Sequence, residues 1–259
     1  RTRSVGGVGV RNAEAERSGD LTDAEINMDR RTTANNDKLT FDLTGTPIPI
    51  IHKSFQLNQR HLLASGRDGR QSIDVTQASI AARLVAEKNE DMIANGVAGL
   101  VVDGKSIYGY RTHPDRITGT LTGSWATITG AQIINDVKNI IDDFRDDKQY
   151  GMIDLYVAEN VWTALQLDYS ATKGTNTILS RILDMAEIKS VKPSSFIPDD
   201  EVISLVMTRE TVEVGIAQDT SIVQWGKNAF ETEFKVFNAL TPILKSDKNG
   251  AMALGHYTV

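Results

Sequence analysis

Residues 73–96, IDVTQASIAARLVAEKNEDMIANG, narrow the choices open to the rest of the chain. Read as one helix at 3.6 residues per turn, the run makes about six turns. Asp74 falls where an N-cap belongs, and Gln77 follows at the capping-box position. Val75, Ala78, Ala82, Val85 and Met92 recur at helical spacing as one apolar stripe. Ile80 and Leu84 form a second stripe, while Arg83, Glu87, Lys88, Glu90 and Asp91 stay polar. Two stripes predict a helix packed on more than one side. Gly96 supplies a left-handed stop. No glycine or proline interrupts the interior, so the element should be straight and stiff, a strut rather than a catalytic element.

The segment before it cannot build a core of its own. Residues 1–18 are rich in Gly, Arg and Ala. Their GGVGV has the wrong spacing for a phosphate loop, and no helix pattern follows, so a flexible arm is expected. Ile26, Met28, Arg30 and Thr32 alternate along one face, Asn35-Asn36-Asp37 favours a reversal, and Leu39, Phe41 and Leu43 alternate back. An isolated hairpin of this kind is marginal in water, so it must lean on something outside its own domain. The chain starts at Arg1 rather than Met, and an upstream segment removed or left out of the numbering is expected.

Beyond the hairpin a mixed body is expected. Pro47 and Pro49 put the start of the strand 47–57 at an edge or a turn. SGRDGR reads as a loop, and 96–110 as a loop with short extended pieces. Thr129 and Gln132 open a second helix whose buried stripe is Ile133, Val137, Ile140 and Phe144, joined by Ile134 and Ile141. Strand 152–158, helices 160–167 and 176–186 and a short extended piece 188–192 follow. Residues 201–208, the most apolar run, predict a central strand buried on both faces. Further strands are expected at 211–217 and 222–225, a long half-exposed strand at 231–237, and closing segments at 240–244 and 251–257.

Composition excludes several chemistries. With 259 residues and 40% hydrophobic content, a sizeable core is available. A net charge of -6 argues against a dedicated DNA-binding protein. With no cysteine there can be no disulfide, thiol nucleophile or thiolate metal site. No run approaches the roughly 20 apolar residues that span a bilayer, and no signal-peptide pattern is visible. His52, His61, His113 and His256 lie at no metal-pair spacing and read as surface or interface residues. No GxSxG is present. Asp142-Asp143 and Asp146-Asp147 read as a solvated helix face, and Asp199-Asp200-Glu201 as a loop before a strand. No catalytic, cofactor or metal residue is therefore assigned, and the chain reads as a non-enzymatic building block. The basic residues Arg1, Arg3, Arg11, Arg30 and Arg31 could touch nucleic acid or the acidic surface of a neighbouring copy.

The run PIPIIHKSFQLNQRHLL, the glycine-bearing loop and the helix ending IANG resemble the middle of encapsulins. VEVGIAQDTSIVQW, FETEFKVFNALTPIL and the helix pair 160–186 resemble later parts of the same family, whose shell proteins share the Hong Kong 97-type fold of tailed-phage major capsid proteins. The resemblance implies an α+β fold with an extended-loop hairpin, a peripheral domain (spine helix plus long-stranded sheet) and an axial domain (mixed sheet with flanking helices). It implies an arm and hairpin at 1–46, a peripheral domain at 47–130 with its spine helix at 74–96, and an axial domain at 131–210. Return strands of the peripheral domain would follow at 211–240, and a C-terminal segment at 241–259 would go back to the axial domain. Arg30, Arg31, Asn35, Asn36 and Phe41 would contact a neighbouring subunit, and Asp168, Tyr169, Lys173 and Gly174 would sit on the axial pore loop. The implied function is a phage coat protein forming pentamers, hexamers and an icosahedral head around double-stranded DNA bound without sequence specificity. Portal, scaffolding or decoration proteins would be partners, no cofactor or membrane is implied, and assembly would occur in the host cytoplasm before residence in the virion. An encapsulin compartment enclosing a cargo enzyme is the alternative. The cargo-docking N-terminal helix of encapsulins has no counterpart in this numbering, and the arm and hairpin look longer; both favour the coat protein.

Overall fold

The computed structural model describes residues 2–18, 41–58, 73–169, 176–228 and 230–259. Its first strands are β1 (Thr2–Ser4), β2 (Asn12–Ser18), β3 (Phe41–Pro47) and β4 (Ile50–Asn58). Helix α1 (Ile73–Asn95) leads into the hairpin β5 (Val97–Val102) and β6 (Lys105–Ile107), then β7 (Ile117–Thr120). Next come α2 (Gly130–Asp146), β8 (Ile153–Val157), α3 (Glu159–Leu165), α4 (Ile178–Leu183) and β9 (Ile188–Pro193). The chain closes with β10 (Glu201–Val206), β11 (Val212–Asn228), β12 (Glu231–Leu244) and β13 (Leu254–Thr258).

Two larger sheets organise the described residues. One has the order β1-β11-β12-β4, the other β7-β13-β10-β8-β9. In the five-stranded sheet β10 lies at the centre, antiparallel to both β8 and β13. Val202 and Val206 of β10 enter the core under α2, α3 and α4, whereas Ile203 and Leu205 enter a second core with Met252 and Leu254. That two-sided burial is what its apolar run predicts. The larger core holds Trp125, Ile133, Ile140, Phe144, Leu155, Leu165 and Ile182, each essentially inaccessible. Every such side chain contributes about 1.5–3 kcal/mol by leaving water. All four predicted stripe residues of α2 are buried, and the Gln132 side chain accepts the Thr129 backbone N–H at 3.0 Å, as its capping position requires.

The second sheet is long and thin. β12 runs 14 residues, about 45 Å at the usual strand rise. Its antiparallel partner β11 is one strand of 17 residues; the two strands expected at 211–217 and 222–225 are joined across register shifts between Ile216 and Ser221. The closing segment expected at 240–244 is the end of β12. Helix α1, about 35 Å long, lies across β12 and β4, with Ala81, Val85, Val236, Ile51 and Phe55 at the contact. It begins at Ile73, so Asp74 lies inside the helix rather than at its cap. Gly96 ends it at φ +71°, its N–H donating to Met92 O at 2.8 Å. The following hairpin turns on Asp103 (φ 52°) and Gly104 (φ 73°), the left-handed pair of a type I′ turn.

The N-terminal segment departs from expectation. Residues 2–4 pair parallel with Val214–Ile216, and 12–18 pair with 41–47, so described parts of the expected flexible arm are strands. Leu43 pairs with Glu16 rather than with the 26–32 run, so the ribbon reaches further back in sequence than a hairpin turning at 35–37 would. The turn itself, like the SGRDGR loop, lies outside the described residues. Ala13 and Ala15 fix the ribbon's base by packing against Ile243, Val5 and Ile48.

Candidate functional site

The polar clusters inside the body bind its parts together. Arg111 donates to Glu201 through Nε (2.6 Å) and Nη2 (2.7 Å), and through Nη1 to Asn95 Oδ1 at 2.6 Å. The same Glu201 meets His256 Nε2 at 2.8 Å, and Arg116 Nε reaches His256 Nδ1 at 3.4 Å. This pattern fixes the neutral His256 tautomer that carries its proton on Nε2. The end of α1, the 109–116 loop, β10 and β13 thus meet at one carboxylate. Burial opposes ionisation of Glu201, but the Arg111 and His256 hydrogen bonds and charges outweigh it and hold its carboxyl below the usual value. Burial pulls His256 down, against Glu201 and helped by Arg116 and Arg111. His113 is likewise lowered, mainly by burial. Two histidines expected at a surface or interface, His113 and His256, are therefore buried, while His52 is exposed and His61 lies outside the described residues.

The carboxylate pairs on α2 are only partly a solvated face. Asp142 and Asp146 are exposed, whereas half-buried Asp143 accepts the Tyr257 hydroxyl at 3.0 Å. Glu201, the last of the 199–201 cluster, is consumed by its cationic partners. Buried Glu213 is bracketed by Lys245 (2.9 Å) and Arg209 (2.8 Å). Among the described residues no group of three or more His, Asp or Glu side chains is arranged to hold a metal ion, and no helix is long and apolar enough to cross a membrane.

Exposed apolar side chains are the other concentration of chemical potential. Phe41 and Leu43 on β3 are 64% and 62% exposed. On α1, Val75 and Ile80 are 56% and 45% exposed and Leu84 is exposed as well, so the second stripe lies bare on the single chain. Ile222, Val223 and Trp225 are exposed along the far half of β11. In the described residues, β1 covers the outer edge of β11 only at Val214–Ile216. A sheet edge without a strand partner and exposed apolar side chains are features to which another chain can add. Sequence periodicity locates the α1 stripe but cannot tell a core face from an interface.

Of the expected contact residues, Phe41 stands at the outermost described rung of the ribbon, paired with Ser18. Arg30, Arg31, Asn35 and Asn36 lie outside the described residues, as do Lys173 and Gly174. Asp168 bridges Thr177, and Tyr169 N–H donates to Asn176 O at 3.1 Å, so the two residues pair with the stretch that leads into α4. The Arg181 guanidinium stacks 3.8 Å from the centre of the Tyr169 ring.

The fold recurs in solved shells. The capsid of Myoviridae phage XM1 superposes with a TM-score of 0.78 at 11% identity, covering 99% of this chain and 88% of that one. A virus-like particle from Pyrococcus furiosus gives 0.67 at 15% identity, covering 99% and 92%. The capsid of an empty GTA particle gives 0.64 at 12% identity, covering 98% and 87%. No curated protein matches the sequence. With the Hong Kong 97-type fold established by these likenesses and residues 2–256 matched by one family model, the chain belongs to the family described as a family of unknown function, DUF6260.

Proposed function

We propose that this chain is a structural, non-enzymatic shell subunit, the major coat protein of a tailed-phage-type head. The observation that carries the reading is the β2–β3 ribbon, a two-stranded sheet whose outer rungs expose Phe41 and Leu43. One face of the ribbon packs on the body through Ala13 and Ala15, but Phe41 and Leu43 at its outer rungs stay bare, so a second copy is their natural cover. Its presence on a fold shared with phage capsids supports the same reading.

In this reading residues 1–46 form the arm and extended loop, with Arg30, Arg31, Asn35, Asn36 and Phe41 against a neighbour. Residues 47–130 and 211–240 form a peripheral domain, 131–210 an axial domain, and 241–259 return to the latter. Asp168, Tyr169, Lys173 and Gly174 face the five- and six-fold-like axes. Pentamers and hexamers close into an icosahedral head around double-stranded DNA, with portal, scaffolding or decoration proteins as further partners. Assembly takes place in the host cytoplasm, and the product is the virion shell. Many modest contacts suffice, because closed symmetry multiplies them through effective concentration.

Negative-stain imaging of purified particles tests the proposal. Closed particles protecting DNA from nuclease are the expected result. Closed particles that hold a co-purifying protein would instead favour a cargo compartment, a reading supported by the likeness to the Pyrococcus furiosus particle. A discrete low-mass species at every concentration would overturn both.

A further inference from the structure

We propose that Arg17 is a latch that aims the β2–β3 ribbon as it leaves the body, and so selects the geometry in which copies can join. The assembly half of this inference rests on the shell-subunit reading; the latch itself does not. Arg17 lies one rung inside Ser18–Phe41, the outermost described pair of the ribbon. Its Nε donates to Ser246 O at 3.2 Å, and its Nη2 to Asp115 Oδ2 at 2.7 Å and Asp247 O at 2.9 Å, with Ser246 Oγ also in contact. The Ser246 hydroxyl in turn donates to Asp115 Oδ2 at 2.6 Å. These acceptors come from the approach to β7 and from the β12–β13 connection, so one guanidinium ties the ribbon to two loops of the five-stranded sheet.

The other strand is held elsewhere. Lys105 of the β5–β6 hairpin lies across Gly45, where an added Cβ would collide with the Lys105 side chain. On β2 itself, Asn12 Nδ2 donates to Asp103 Oδ2 at 3.4 Å in the turn of the same hairpin. The ribbon is therefore met at its base by the β5–β6 hairpin, at Asn12 of β2 and Gly45 of β3, and is held near its outermost described rung by Arg17. A planar guanidinium fork bound to several acceptors fixes an orientation, whereas a single charge contact fixes only a distance. Arg17 is accordingly a positioning residue, and its effect should appear as a change of direction rather than of fold.

The absence of cysteine permits a direct test on the full chain. Spin labels at Phe41→Cys, beyond the latch, and Lys138→Cys, on the exposed face of α2, report the ribbon-to-body distance by pulsed electron resonance. Labelled chains are diluted into unlabelled ones, so only pairs within one chain are read. Arg17→Ala should widen the distance distribution about twofold or more, with Arg17→Lys intermediate and the thermal melt of the body little changed. Particle yield from Arg17→Ala should fall about tenfold or more, since a badly aimed contact loses its effective concentration. A distribution that superimposes on the parent's overturns the latch, and parental particle yield with a widened distribution overturns its role in assembly. Should Arg17→Ala fail to fold, Asp115→Asn removes the charged acceptor at constant size, and an unchanged distribution there is equally contrary. Failure of the unsubstituted chain to form particles would refute the shell reading alone.

Discussion

Asp136, only 3% exposed, is surrounded by donors. Its carboxylate accepts from the Thr122 hydroxyl at 2.5 Å, the Thr122 N–H at 3.2 Å and the Trp125 indole N–H at 2.9 Å. Removing the acceptor strands all of them beside the main core. Asp136→Ala should therefore cost about 3 kcal/mol or more, read from the urea midpoint of the body. A loss within about 0.5 kcal/mol would show that the indole and hydroxyl find other partners. His113, His256, Glu201 and Glu213 predict pH responses of the same sign. His113 and His256 have folded values below their ordinary 6.5, so the unfolded chain takes up protons first and stability declines as pH falls below about 6.5. Glu201 and Glu213 are held below 4.5; their stabilisation is present above that value and is lost as pH falls through their folded values. Melting temperature followed from pH 8 to 3 should fall in these two successive ranges, and a flat profile down to pH 5 would contradict the histidine part. None of these partnerships is legible in the sequence. Arg111 and Glu201 are 90 residues apart and Arg17 and Ser246 are 229 apart, and nothing local announces either pairing.

Elements were legible where a local rule and tertiary burial agree. The α2 stripe and its capping glutamine are such a case, and so is the stop at Gly96. A Cβ on Gly96 would stand 2.5 Å from Ile107 O and 2.7 Å from Gly109 N, on top of a left-handed φ. Gly96→Ala should therefore lower stability by at least about 2 kcal/mol, and a melt within a degree of the parent would show that the backbone relaxes. Elements were missed where the signal is faint. In β2 the alternation Ala13, Glu14, Ala15, Glu16 does place alanines inward and glutamates outward, but alanine is too small to register as an apolar stripe. The length of β11 was hidden by its bulges, which interrupt the period of two that marks a strand. On α1 a single chain buries only part of the pattern: Val85 and Met92 of the first stripe are buried, whereas Val75 and the second stripe, Ile80 and Leu84, are exposed. Replacing Ile80 and Leu84 together by Ser should leave the melt within a few degrees, because both are already wet, and reduce association markedly in sedimentation. A large loss of stability would instead place them in the fold's own core.

At the scale of the whole molecule, the family resemblance pointed to the architecture that the likenesses to solved shells then established, while the attachment of the N-terminal segment needed the structure. Because β1 pairs with β11, and Ala13 and Ala15 pack on Ile243, removal of residues 1–43 would strip part of the body as well as the ribbon. The informative truncation is narrower: residues 19–40 replaced by an Asn-Gly turn joining Ser18 to Phe41, which keeps every described rung. In the shell-subunit reading the body folds alone and copies join through the ribbon segment. The most direct measurement is the native mass of the intact and shortened chains by light scattering at matched concentration. Megadalton-scale closed particles are expected from the intact chain and only small species, with an unchanged melt, from the shortened one. Particles of equal mass from both chains, or a monomeric intact chain, would contradict it.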